Sequence, residues 1–208
     1  MFLYRVPTLV KWIYPKYVWH LDRSEPNVYL TFDDGPVEGI TDFVLDLLLE
    51  RNMKATFFMV GDNILKYLPL ARRIVSEGHQ VGNHTFNHLN GWNTSPEKYL
   101  ENVAHCQRTI EDHLGVSTDL FRPPYGRMSH LQRKQLCKEY RIIMWEILSG
   151  DFIPGKRVAG TLKKISQKTK NGSIILFHDQ QKTAKFVKRI LPGYLDFLEK
   201  MEFKSDLI

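Results

Sequence analysis

Two carboxylates stand side by side at the end of an apolar run, Tyr29-Leu30-Thr31-Phe32-Asp33-Asp34-Gly35-Pro36. Adjacent like charges repel, so a fold seats such a pair beside its core only with compensating partners. About fifty residues on, Asn83-His84-Thr85-Phe86-Asn87-His88 carries two imidazoles four positions apart. On one face of a helical turn both would reach a single cation. One carboxylate and two imidazoles make a three-ligand metal site with open positions, and the second carboxylate is left free as a base. Asp34, His84 and His88 are therefore the expected ligands, Asp33 the expected base, and metal-assisted hydrolysis the expected chemistry. Zinc suits this donor set, and cobalt or nickel also fit. Alone, Asp-Gly-Pro reads equally well as a turn capping the next helix, and a histidine pair as a helix surface. The combination carries the reading.

Three further stretches add groups to this chemistry. Phe121-Arg122-Pro123-Pro124-Tyr125-Gly126 is a rigid loop whose guanidinium can orient Asp33 through charge-assisted hydrogen bonds. A backbone N–H near Tyr125 can face a developing oxyanion. Ile174-Ile175-Leu176-Phe177-His178 reads as a buried strand ending in an imidazole that can protonate a leaving group. Asp151, in Trp145-Glu146-Ile147-Leu148-Ser149-Gly150-Asp151-Phe152, can pair with that imidazole and raise its pKa. His20, His79, His105, His113 and His130 show no partner pattern.

The elements that must position these groups alternate between strand-like and helix-like segments. Strands are expected at 28–32, 55–60, 80–83, 120–122, 141–146 and 173–177. Several are continuous apolar runs, as in parallel sheets buried on both faces. Helices are expected at 38–51, 64–78, 95–114, 129–140, 158–170 and 183–201. Gly78, Gly115 and Gly172 stand where helices should stop, and Ser95-Pro96-Glu97 looks like a helix start. Repeated strand-helix units imply a parallel sheet with right-handed crossovers. Every reactive candidate follows the carboxyl end of a strand, where barrel enzymes build their sites.

Bulk properties bound the rest. The chain has 208 residues, 43% apolar and 25% charged, as in an ordinary globular domain. Its net charge of +6 is spread along the chain, with Lys and Arg denser in the last third. That reads as solvated helix faces in preference to an anionic-polymer or membrane surface, and no nucleic-acid partner is expected. Cys106 and Cys137 form no metal spacing and read as free thiols. The apolar N-terminus is interrupted by Arg5, Pro7, Lys11 and Pro15. It is too short to span a bilayer and lacks the features of a cleavable signal peptide. Residues 1–27 are expected to pack on the domain as a short helix or strand, with weak membrane-surface contact as the alternative. The compartment stays open, cytoplasmic or membrane-associated.

Thr31-Phe32-Asp33-Asp34-Gly35-Pro36, His84-Thr85-Phe86-Asn87-His88, Arg122-Pro123-Pro124-Tyr125-Gly126, Asp151 and Leu176-Phe177-His178 resemble the five ordered motifs of the polysaccharide deacetylases. These are the NodB-homology enzymes of carbohydrate esterase family four. The resemblance covers about residues 28 to 180. It implies a distorted (β/α) barrel of about seven parallel strands, TIM-barrel-like, over residues 28–208. It implies Asp33 as base, Asp34, His84 and His88 as metal ligands, and Arg122 as the arginine positioning the base. By the same resemblance the Tyr125 amide stabilises the oxyanion, Asp151 tunes the general acid His178, and Leu176 lines the acetyl pocket. Trp145 and Phe152 are further substrate-facing candidates, and Phe152 stands where family members often have tryptophan. Residues 202–208 would supply any closing strand.

The implied reaction is hydrolysis of N-acetyl groups on amino sugars of a chitin-like glycan, peptidoglycan or an exopolysaccharide, with release of acetate. The alternatives are O-acetyl ester hydrolysis on a xylan-like glycan, a glycan-binding protein without activity, and an amidase acting on a small cyclic amide. The last predicts a closed pocket.

Overall fold

The strand Val28-Tyr29-Leu30-Thr31-Phe32 is rich in β-branched and aromatic residues and lies at the centre of the molecule. The computed structural model describes residues 3–208; Met1 and Phe2 of the expected N-terminal segment lie outside the described residues. In chain order the elements are α1 (Thr8–Ile13), β1 (Asn27–Asp33), α2 (Thr41–Glu50), β2 (Thr56–Met59), α3 (Gly61–Lys66), α4 (Leu68–Ser76), β3 (Gln80–Asn83), α5 (Pro96–Leu114), β4 (Leu120–Phe121), α6 (His130–Leu136), β5 (Arg141–Ile142), β6 (Ile147–Leu148), α7 (Val158–Ser166), β7 (Ile174–His178), α8 (Ala184–Lys200) and β8 (Lys204–Ser205).

The strands run parallel in the order β5-β4-β3-β2-β1-β7-β6, with β8 added on β1. Helices cover the outer face, which gives the expected distorted (β/α) barrel. Side chains alternate along β1. Val28, Leu30 and Phe32 face the helices and join a core with Phe57, Leu45, Leu48, Leu191 and Tyr194. Each is fully buried, and such burial stabilises by about 1.5–3 kcal/mol per side chain. Tyr29 faces the interior with Phe58, Leu120, Ile143 and Ile174. Thr31 and Asp33 continue that inner row to the rim.

The sheet closes imperfectly between β5 and β6. One run of chain, Ile143 to Glu146, passes from one sheet edge to the other: the Ile143 N–H donates to Phe121 O (2.9 Å) and the Glu146 N–H to Ile174 O (3.0 Å). This corrects the single expected strand at 141–146. The N-terminal segment seals the outside of the seam. Met144 N–H donates to Val18 O (2.8 Å), Val6 N–H to Glu146 O (3.0 Å) and Leu148 N–H to Tyr4 O (3.0 Å). Beneath it Glu146 is fully buried and accepts charged hydrogen bonds from Arg5 (2.7 Å), Lys11 (2.8 Å) and Arg23 (3.0 Å), plus one from the Ser173 hydroxyl (2.9 Å).

The helix expected at 64–78 is two. It breaks at Tyr67 (φ −124°, ψ 46°), because Pro69 lacks the N–H needed to continue α3 and sits instead in the first turn of α4. α5 starts as its sequence signals, with Ser95 accepting from Lys98 N–H, and ends at Gly115 in the left-handed region (φ 68°). The basic residues of the last third, Lys163, Lys164, Lys185, Lys188 and Arg189, lie on exposed positions of α7 and α8. Among the described residues no helix is long and apolar enough to cross a membrane.

Candidate active site

All the predicted reactive groups converge on the carboxyl rim of the barrel. β1 ends at Asp33, and Asp34 takes a left-handed backbone (φ 80°) that turns its carboxylate toward the same mouth. The turn is braced by Asn63 Nδ2 donating to Asp34 O (2.7 Å) and by Val60 N–H donating to Gly35 O (3.0 Å). Six non-glycine residues among those described have positive φ; four of them, Asp34, Thr85, His88 and Tyr125, belong to this site. Such strain concentrates where function over-determines the backbone.

His84 and His88 do not lie on a helical turn, contrary to expectation. Thr85 (φ 65°) and His88 (φ 53°) interrupt any helix, and side chains hold the loop instead. Thr85 N–H donates to Asn83 Oδ1 (2.9 Å), Leu89 N–H to Thr85 Oγ1 (3.1 Å), and the Phe86 and Asn87 N–H groups share Asn102 Oδ1 (2.9 and 3.0 Å). The two imidazoles still meet, with ring centroids 5.1 Å apart. Gly82 admits the approach of Phe58, whose ring a Cβ there would overlap.

Asp34, His84 and His88 each offer a ligand atom, and these lie within 4.8 Å of one another. His84 Nδ1 is 2.7 Å from Arg122 O, which can only accept, so the ring proton sits there and Nε2 presents a lone pair. That lone pair is 3.4 Å from Asp34 Oδ1, and His88 Nε2 is 2.9 Å from the same oxygen. Asp34 Oδ1 is buried without a hydrogen-bond partner. A buried acceptor faced by a second lone pair is the donor arrangement a divalent cation satisfies, so the residues present fit a metal.

Beside this cluster Arg122 is completely buried and makes four hydrogen bonds. It donates to Asp33 Oδ1 (2.6 Å), Thr31 Oγ1 (2.8 Å), Ile143 O (3.0 Å) and Met144 O (2.8 Å). Its guanidinium stacks on Phe58, 4.0 Å from the ring centroid. Asp33 is thereby fixed in position, with its other oxygen 3.9 Å from His84 Nε2. Across the mouth, Asp151 accepts from His178 twice, from the backbone N–H (2.7 Å) and from Nδ1 (2.8 Å). Burial pulls the imidazolium down, but Asp151, with Asp34 and Asp33 behind it, pushes His178 up to about 9. Tyr125 (59% exposed) packs edge-on against His88, and Phe152 (42% exposed) edge-on against His178. Leu176 is buried on the inner face of β7, one alternation below His178. Trp145 stands 5.9 Å from the Arg122 guanidinium and, with Tyr125, lines a neighbouring groove.

Sequence reasoning missed two groups beneath the aspartate turn. Asp179 is fully buried and accepts from Gly35 N–H (3.1 Å) and the Thr41 hydroxyl (2.6 Å), while its own N–H donates to Asp33 O (3.1 Å). Burial pushes Asp179 up to about 8, against the Thr41 hydrogen bond. A Cβ on Gly35 would overlap this carboxylate, which is why the turn carries glycine. Gln180 donates to Asp34 Oδ2, the oxygen facing away from the histidines. The available signal was an unexplained carboxylate directly after His178.

Together these features define a parallel-stranded (β/α) barrel with an Asp-His-His cluster, fit for a metal, at its carboxyl rim. Residues 20–140 match the family model described as polysaccharide deacetylase. The chain belongs to the polysaccharide deacetylase family. It is 33% identical over 183 residues to a peptidoglycan-N-acetylglucosamine deacetylase of Bacillus cereus, covering 84% of each chain. It is 35% identical over 164 residues to the peptidoglycan-N-acetylglucosamine deacetylase PgdA of Listeria monocytogenes, covering 77% of this chain and 34% of that one, so it spans about a third of that relative's length. The solved structure of the peptidoglycan N-acetylglucosamine deacetylase Bc1960 superposes with a TM-score of 0.89 at 26% identity, covering 98% of this chain and 95% of that one.

Proposed function

We propose that this protein is a metal-dependent hydrolase that removes N-acetyl groups from amino sugars of a glycan and releases acetate, with N-acetylglucosamine residues of peptidoglycan as the favoured substrate. The observation carrying this reading is the opposed pair of proton-handling groups flanking one cation-shaped cluster: Asp33 hydrogen-bonded to Arg122 on one side, and His178 held protonated by Asp151 on the other. Asp34, His84 and His88 would hold the metal, which supplies Lewis-acid polarisation of the acetyl carbonyl and an acidified water. Zinc is the ion this donor set favours.

Asp33 accepts the proton of the attacking water, and Arg122 fixes its side chain toward the site. His178 delivers a proton from Nε2 to the departing nitrogen, its Nδ1 being committed to Asp151. The Tyr125 backbone N–H stabilises the oxyanion. Leu176 receives the acetyl methyl, and Phe152 and Trp145 flank the sugar. The exposed rings of Tyr125 and Phe152 leave the mouth open, which favours a polymer over a small cyclic amide. The surface suited to membrane contact is α1, whose Leu9, Trp12 and Ile13 are exposed.

Acetate release from N-acetylated chito-oligomers and from purified peptidoglycan tests this reading. Metal-loaded protein is expected to release acetate, and Asp33→Asn to lose at least about a hundredfold in kcat with metal content retained. Glycan binding with no acetate from any substrate would overturn it in favour of a binding protein.

A further inference from the structure

The short helix α1 carries two apolar stripes, and only one of them is covered. Val10 and Tyr14, four positions apart, pack inward on the cluster of Tyr17, Trp19 and Met144. Lys11 also turns inward, to Glu146 (2.8 Å). Leu9, Trp12 and Ile13, at positions i, i+3 and i+4, are 65%, 75% and 58% exposed. That spacing is the pattern of a helix face that meets an apolar surface. Six residues do not hold a helix alone. The fold fixes it: Val6 N–H donates to Glu146 O (3.0 Å), Tyr17 N–H donates to Tyr14 O (3.1 Å), and the Tyr14 and Tyr17 rings stack 5.2 Å apart. An apolar face is thus held in water by a well-anchored segment.

Beside this face lies a cavity of about 310 Å3. Ile13 lines it from α1, and Lys16 and Tyr17 from the chain that follows. The other wall is α6, through His130, Arg133 and Lys134, which share one helix face at i, i+3 and i+4. No Asp or Glu lines the cavity. Lys16 and Lys134 are exposed, whereas Arg5, Lys11 and Arg23 of the N-terminal segment are turned to Glu146. Arg133 is held 5.4 Å from the Tyr14 ring centroid. Cations around a cavity, next to an apolar face with an indole at its tip, complement a bilayer of anionic lipid. Tryptophan and aliphatic side chains favour the headgroup boundary, and lysine and arginine are drawn to the negative surface.

We propose that α1 and this cavity form a docking surface for an anionic phospholipid bilayer. Leu9, Trp12 and Ile13 enter the boundary between headgroups and acyl chains, and a lipid phosphate seats among Lys16, Arg133 and Lys134. α1 precedes residue 20, where the family match begins. Val10 and Tyr14 also wall the groove shared with Tyr125, so docking holds that groove beside the bilayer. The proposal extends the membrane contact placed on α1 and does not depend on the reaction at the barrel rim.

The probes are vesicles of phosphatidylcholine alone and of phosphatidylcholine with about 30% phosphatidylglycerol. In co-sedimentation the unmodified protein is expected on the anionic vesicles, weakly on the neutral ones, and less as salt rises. Lys16→Gln and Lys134→Gln should each weaken binding about fivefold, and Trp12→Ala at least about tenfold. Anionic vesicles should shift the tryptophan emission to the blue, and Trp12→Phe should abolish that shift while still binding. These side chains are exposed, so circular dichroism and acetate release from soluble chito-oligomers should match the unmodified protein. Equal binding to both vesicle types, binding to neither, or unchanged binding in Trp12→Ala would overturn the proposal. A dimer lost in Trp12→Ala, without vesicle binding, would assign the face to a second copy and overturn it as well. None of these readings changes if no acetate is released.

Discussion

Replacing Glu146 with glutamine removes the one buried anion that ties Arg5, Lys11 and Arg23 to the barrel seam. Burial alone would raise this carboxyl, yet the three cations and the Ser173 hydroxyl bring it from 4.5 down to about 2. A shift of that size corresponds to about 3 kcal/mol favouring the folded state. Arg5 and Arg23 are each about a third exposed, so solvent screens part of this, and about 2 kcal/mol is expected for Glu146→Gln at pH 7. The sign follows from the depressed folded value. The unfolded chain binds the proton more readily, so the stabilisation is complete above pH 4.5 and disappears as pH falls through about 2. Denaturant unfolding of both proteins at a series of pH values measures this. The gap in midpoint stability should be widest at neutral pH and close below pH 4.5. A gap under about 0.5 kcal/mol at pH 7, or one that does not narrow in acid, would refute the assignment of Glu146 as the clasp for the N-terminal segment.

Arg122→Lys keeps the charge but cannot satisfy four acceptors with a planar fork, so kcat should fall about a hundredfold in steady-state acetate release while the metal is retained. Asp151→Asn removes the partner that keeps His178 protonated toward pH 9; the alkaline limb of kcat/KM should then move down by at least about one pH unit in a pH-rate profile. Gly35→Ala drives a methyl into Asp179 and should cost about 1–3 kcal/mol in thermal or denaturant unfolding, with weakened metal binding.

The parallel barrel was legible because its central strands are short apolar runs and every reactive residue follows one. The pairing of Asp33 with Arg122 and of Asp151 with His178 was legible for the same reason: groups at one rim must meet. Local geometry was less so. A histidine pair spaced by four signals a helical turn, but Asn83 and Asn102 offer hydrogen bonds that stabilise a left-handed loop instead. Arg5 and Lys11 read as interruptions of an apolar N-terminus, whereas they are the partners of Glu146, itself a lone acid within Ile142-Ile143-Met144-Trp145-Glu146-Ile147-Leu148. Neither half explains itself without the other, and they are separated by most of the chain. Asp179 was hidden likewise, since its partners Gly35 and Thr41 lie at the opposite end of the sequence.

Titration of zinc into metal-free protein, followed by calorimetry, tests the central claim most directly. The account predicts one tightly bound ion per chain, with affinity reduced at least about a hundredfold in Asp34→Ala and in His84→Ala. Failure of the unmodified protein to bind zinc, cobalt or nickel, or equal affinity in the Asp34→Ala variant, would contradict it.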